Sequence, residues 1–248
     1  HSQVVAVVCQ PDKPAGRGQK PKQPAVKVAA ESLGLPVLQP LALRPTKSNF
    51  VEELKALQPE LVVVVAYGRI LPPEVLAVPR YGCWNVHGSI LPRYRGAAPI
   101  QWALIRGEAK TGVTLMQMDA GLDTGPMLKT LELPILPDDT AGTLHEKLSQ
   151  LGALLLEEAA SALAGGTQPV PIPQDNALAT LAPLLDKEHG RADFTRDARL
   201  VCGHLRGVDP WPGGYTLLPP GLAGPEPVPL KLFLPKLSSG SGRPGEVL

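Results

Sequence analysis

Two kinds of hydrophobic pattern alternate along the first two-thirds of the chain. Residues 4–9 (VVAVVC) and 61–66 (LVVVVA) are continuous apolar runs rich in β-branched side chains. Runs without polar alternation are the mark of parallel strands covered on both faces. Shorter runs predict further strands over residues 35–38, 83–86, 113–118 and 127–133. Between them, apolar residues recur at helical spacing. One helix is predicted over residues 25–33, with Pro24 at its start and Gly34 past its end. Another spans residues 46–57, capped by Thr46, with Phe50, Leu54 and Leu57 on one face. Short helices follow near residues 73–77 and 98–106, the latter stopped by Gly107. A long helix starts at Asp139 or Thr140, carries a stripe of Leu144, Leu148, Leu151, Leu155 and Ala159, and ends at Gly165-Gly166.

Two segments break this rhythm. Residues 10–24 (QPDKPAGRGQKPKQP) are rich in Pro, Gly and basic side chains, and predict a loop that is long for an α/β connection. Residues 168–174 (QPVPIPQ) predict a linker. Strands alternating with helices make residues 1–168 an α/β domain, with a linker over 169–185. Residues 186–248 predict one short helix near 197–206 and strand-like pieces broken by Pro and Gly, a small and partial β-rich domain. Trp211, between prolines, reads as a packing residue at the junction of the domains.

Composition narrows the function classes. An apolar fraction of 44% suffices for a core. A net charge of +1 gives no global push toward nucleic acid, so any such role needs a local patch. The basic loop is one: Lys13, Arg17, Lys20 and Lys22 stand against a single acid, Asp12. Cys9, Cys83 and Cys202 are far apart and odd in number, which predicts neither a metal site nor a disulfide framework and suits a cytoplasmic protein. No apolar run approaches the ~18 residues of a membrane span. A monomer is expected.

The chemistry concentrates in residues 85–125. Asn85 and His87 end one apolar run, and Asp123 lies in a glycine-bracketed turn, GLDTG. If the strand ends open on one sheet edge, an amide, an imidazole and a carboxylate converge. Asp119 is the rival carboxylate. A fixed amide can stabilise an oxyanion, a contribution of roughly 2.7–4 kcal/mol for one donor. An imidazole, titrating ordinarily near about 6.5, accepts and returns a proton. A carboxylate orients it. No metal is required.

The motifs QPDKPAGRGQK, VVVVAYGRILP, NVHGSILPRYRGAAPIQWAL, TGVTLMQMDAGLDTG and DPWPGGY, in that order, resemble the folate-dependent formyltransferase family. The resemblance implies a Rossmann-like parallel-sheet domain followed by an OB-like one. It implies Asn85, His87 and Asp123 as catalytic residues, Ser89, Ile90, Leu91 and Pro92 as the folate-side loop, and the loop around Arg17 as the tRNA-facing element. The implied donor is 10-formyltetrahydrofolate and the implied acceptor the α-amine of methionyl initiator tRNA. The family pattern opens with a strand and a glycine-containing loop upstream of VVAVVC, so the chain is expected to be truncated at both ends, without the first strand and with an incomplete OB-like domain. Two other readings stay open: a formyltransferase acting on a sugar-nucleotide amine or another small amine, and an inactive truncated homologue that only binds tRNA.

Overall fold

The computed structural model describes residues 2–15, 20–222, 224–240 and 242–245. In chain order the elements are β1 (Val7–Val8), β2 (Lys13–Ala15), β3 (Lys20–Lys22), α1 (Ala25–Ser32), β4 (Val37–Leu38), α2 (Phe50–Ala56), β5 (Val62–Val64), α3 (Pro73–Leu76), β6 (Cys83–His87), α4 (Pro99–Ile105), β7 (Lys110–Gln117), β8 (Met127–Pro134), α5 (Ala141–Ala164), α6 (Ala198–Gly207), β9 (Gly214–Leu218) and β10 (Val228–Leu232). They form a four-stranded sheet in the order β5-β6-β7-β8 and three two-stranded sheets, β1-β4, β2-β3 and β9-β10. The pairs β1-β4 and β5-β6 are parallel, as the unalternating runs predict. The chain divides into two compact units. The first comprises His1–His87, Leu115–Lys129 and Leu156–Gln174; the second comprises Gly88–Thr114, Thr130–Leu155 and Asp175–Leu248.

In the first unit, α2, α3, β5 and β6 enclose a core of Leu43, Phe50, Val51, Leu54, Leu71, Val75 and Cys83. Burial pushes the Cys83 thiol up to about 12, which makes it an inert filler. Three elements differ from the sequence reading. The run at residues 61–66 was expected to be buried on both faces, yet Val63 and Val65 are 39% and 61% exposed. Val63 and Val65 are two residues apart and share one face of the run, so it is that face which is uncovered; among the described residues β5 is an end strand that pairs only with β6. Helix α2 begins at Phe50 rather than at Thr46, because Ser48 bonds the Ala42 carbonyl and the Phe50 amide and holds the preceding turn. The segment at 10–24 is not all loop: β2 and β3 pair antiparallel, with Lys13 opposite Lys22 and Pro14 opposite Pro21.

In the second unit, α4 and α6 lie backbone to backbone. A β-carbon at Gly203 would come within 2.6 Å of the Leu104 carbonyl, and one at Gly207 within 2.8 Å of the Gln101 carbonyl. The (i, i+4) glycine face of α6 therefore sets the approach distance. The side chain of Asp197 caps α6 by accepting from the Arg199 amide. At the start of α5 the Thr140 hydroxyl accepts from the Thr143 amide, so Thr140 takes the cap position. Asp139 instead accepts from the Leu136 amide, the Thr143 hydroxyl and the Lys147 ammonium. Strands β9 and β10 form an antiparallel hairpin. Trp211 is 51% exposed, so it is not the packing residue its proline neighbours suggested.

Candidate active site

Asn85 and His87 are the third and fifth residues of β6, and Asn85 lies in register with Val64 of the neighbouring β5. Alternation along a strand sends their side chains to the same face. The carboxylate that meets them comes from the loop between β7 and β8. That loop is closed at its base by the bond from the Gln117 amide to the Pro126 carbonyl, 2.9 Å. The end of β7 is tied to β6 by the bond from the Met118 amide to the Cys83 carbonyl, 2.7 Å.

Asn85 Nδ2 donates to Asp123 Oδ1 at 3.4 Å, and His87 Nδ1 lies 3.7 Å from Asp123 Oδ2. The second separation is an ion-pair distance rather than a hydrogen bond. His87 is buried, with 6% of its side chain exposed, and Asp123 keeps 15%. Thus the trio converges within the first unit, with one edge reachable from solvent. Catalytic contacts are commonly this long before substrate binds.

The loop explains why Asp123, and not Asp119, occupies this place. Asp119 Oδ1 accepts from the Gly121 amide at 2.9 Å and from the Thr124 hydroxyl at 2.6 Å, so it is spent on building the turn. Asp123 has φ of 53°, in the left-handed region that Asp tolerates better than most side chains. At Gly125 a β-carbon would lie 1.9 Å from the Gln117 carbonyl oxygen. Only glycine lets the loop close there.

The residues of the SILP segment belong to the second unit. Ser89 is fully buried; its hydroxyl donates to the Arg93 carbonyl at 2.6 Å, and its own carbonyl accepts from the Thr114 hydroxyl at 2.7 Å. The Leu91 amide donates to the same Thr114 oxygen at 3.2 Å, and Leu91 is buried. Ile90 and Pro92 are half-buried and are the side chains of this segment with a face to offer. Of the basic loop, Lys13 and Lys22 are exposed and face each other across the hairpin, and Lys20 pairs through its backbone with Ala15. Arg17 lies outside the described residues.

Residues 1–160 match the formyl transferase family model. The chain belongs to the formyltransferase family. A methionyl-tRNA formyltransferase from Citrifermentans bemidjiense is 51% identical over 99% of this chain and 74% of its own length. One from Myxococcus xanthus is 50% identical over 99% of this chain and 75% of its own. Solved structures similar in fold include a sugar N-formyltransferase from Shewanella, 23% identical with a TM-score of 0.64 over 88% of this chain and 83% of that one. HypX from Aquifex aeolicus, solved with tetrahydrofolic acid, is 21% identical, with a TM-score of 0.60 over 76% of this chain and 32% of that one.

Two features of this formyltransferase have no signal in the sequence pattern. A cleft of about 720 Å³ in the first unit is lined by Arg44, Lys47 and Arg69, by the exposed Leu41 and Ile70, and by Ala120 of the Asp123 loop. Its members come from three separate segments, so no local spacing announces it. The other feature is Gln174, at the end of the linker-like stretch. Among the described residues no cluster of His, Cys, Asp and Glu is disposed to hold a metal, and no helix is long and apolar enough to cross a membrane.

Proposed function

We propose that this formyltransferase moves the formyl group of 10-formyltetrahydrofolate to the α-amine of methionyl initiator tRNA. The observation that carries the reading is the 51% identity to a methionyl-tRNA formyltransferase over 99% of the chain. The sugar N-formyltransferase from Shewanella, at 23% identity, is alike in fold alone.

The amine nitrogen attacks the formyl carbon, a C–N bond forms, and the carbonyl oxygen takes the negative charge. Asn85, which donates to Asp123, supplies the amide that stabilises it. His87 takes the proton lost by the attacking amine and delivers it to the folate nitrogen as the second C–N bond breaks. Asp123 holds the imidazole in place beside the reacting groups. In this reading the segment Ser89, Ile90, Leu91 and Pro92 is the folate-side wall. Ile90 and Pro92 present side chains, whereas Ser89 and Leu91 fix the loop from inside. Lys13, Arg17, Lys20 and Lys22 meet the phosphates of the acceptor end. The facing pair Lys13 and Lys22 supports this, because like charges directly opposite each other on a hairpin repel until an anion joins them.

A catalytic formyltransferase domain followed by an OB-like region over residues 186–248, a cytoplasmic setting and a monomeric state complete the proposal. The test is to incubate the chain with 10-formyltetrahydrofolate and either methionyl initiator tRNA or an amino sugar nucleotide. Formylated tRNA is the expected product. Formylation of the sugar alone overturns the reading, and salt-sensitive tRNA binding without turnover replaces it with a binding protein.

A further inference from the structure

The stretch QPVPIPQ has the composition of a tether, but it is built into the first unit. Ile172 exchanges backbone bonds with Met127 at the start of β8, amide to carbonyl in both directions at 2.8 Å. Two residues on, the half-buried Gln174 reaches the Asp123 loop. Its Nε2 donates to the Asp123 carbonyl at 2.8 Å and to the Gly125 carbonyl at 2.6 Å. Both neighbours are acceptors, so the amide nitrogen, with its two protons, is the atom that faces them. One side chain thereby ties both ends of the tripeptide Asp123-Thr124-Gly125.

The loop's other ties lie elsewhere. Asp119 orders its first half, through Gly121 and Thr124, and the Gln117 to Pro126 bond closes its base. The carboxylate's contacts with Asn85 and His87 measure 3.4 and 3.7 Å. We propose that Gln174 is a positioning residue for formyl transfer: by clamping the Asp123 and Gly125 carbonyls it holds the Asp123 carboxylate beside Asn85 and His87. The proposal rests on the reading of Asp123 as the orienting carboxylate.

The test uses the full chain and steady-state formylation of methionyl initiator tRNA. In Gln174→Ala, kcat should fall by on the order of 10²-fold, the cost of a misplaced catalytic geometry, while KM for 10-formyltetrahydrofolate and the melting temperature hold. Gln174→Glu separates a clamp from a packing residue. It keeps the shape but turns an acceptor-only carboxylate on two carbonyls, so it should be at least as slow as the alanine variant. In an Asp123→Ala background, Gln174→Ala should cost little more. Wild-type kcat in Gln174→Ala, a Glu variant faster than the Ala variant, or additive losses in the double variant would each overturn the clamp. Should the alanine variant not fold, Gln174→Asn, with the amide one methylene short of its carbonyls, gives the same kinetic readout. Full activity of Asp123→Ala alone would instead sink the reading of Asp123. A slow Asp123→Ala beside a fast Gln174→Ala would sink only the clamp.

Discussion

At the scale of single residues, the site is a set of polar groups whose roles follow from what each one touches. The Asn85 amide donates to the Asp123 carboxylate and, on the proposed reading, stabilises the oxyanion. Asn85→Ala should therefore lower kcat by roughly 10²–10³-fold, the usual cost of one oxyanion donor, with folate affinity retained. Steady-state kinetics beside equilibrium folate binding checks it, and an unchanged kcat would remove Asn85 from the chemistry. The loop is as demanding as the trio. In Gly125→Ala the new β-carbon would sit 1.9 Å from a backbone oxygen of Gln117 that cannot step aside. Turnover should fall by on the order of 10²-fold as Asp123 is displaced, read by the same assay.

At the scale of elements, close packing and capping set the stability. Gly203 and Gly207 let α6 rest on the α4 backbone. Overpacking such a contact costs typically about 1–3 kcal/mol. For a chain of this size Gly203→Ala should lower the melting temperature by roughly 2–4 °C per kcal/mol, measurable by calorimetry. At the start of α5, burial works to raise the pKa of Asp139, but the Lys147 ammonium, the Leu136 amide and the Thr143 hydroxyl outweigh it and hold the carboxyl below its ordinary range. A carboxyl whose folded pKa is depressed stabilises the fold above its unfolded pKa of about 3.9, and that stability is lost as pH falls through the lower, folded value. Asp139→Asn should thus lower stability at neutral pH and flatten the acid limb of a stability-versus-pH curve. Parallel curves for the two proteins would show that this group does not carry the acid dependence.

At the scale of the whole molecule, the net charge of +1 conceals a local arrangement. The basic segment is a hairpin that sets Lys13 against Lys22, while Asp12 is occupied by Gln39 and Lys27, which lower its pKa. Lys13→Ala with Lys22→Ala should weaken tRNA binding and reduce the salt slope of log K by about 2, one for each phosphate contact. Folate affinity should not move. An unchanged slope would mean that the pair faces solvent alone.

Much of this was legible in the residues. Hydrophobic runs without alternation dictate parallel strands, helical spacing and caps dictate the helices, and the order of the motifs dictates the family. These are local properties, written within a few turns or a few strand residues. What lay beyond local pattern needed the folded chain. One face of a run that reads as buried is uncovered, at Val63 and Val65. Asn85 and Asp123 are 38 positions apart. Their meeting depends on how β6 and β7 are joined, and on a loop whose backbone turns left-handed at Asp123 and closes only over Gly125. Asp119 and Asp123 are equivalent as letters; hydrogen bonding makes one a turn builder and the other a partner of the imidazole. Gln174 carries no signal at all in a proline-rich stretch, because its role comes from two carbonyls about fifty residues earlier. The sequence by itself determined most of the elements, the family and the candidate side chains of the site. Only tertiary structure decided which carboxylate meets the histidine and what holds it there, since long-range convergence is set by strand order and loop closure rather than by any periodicity along the chain.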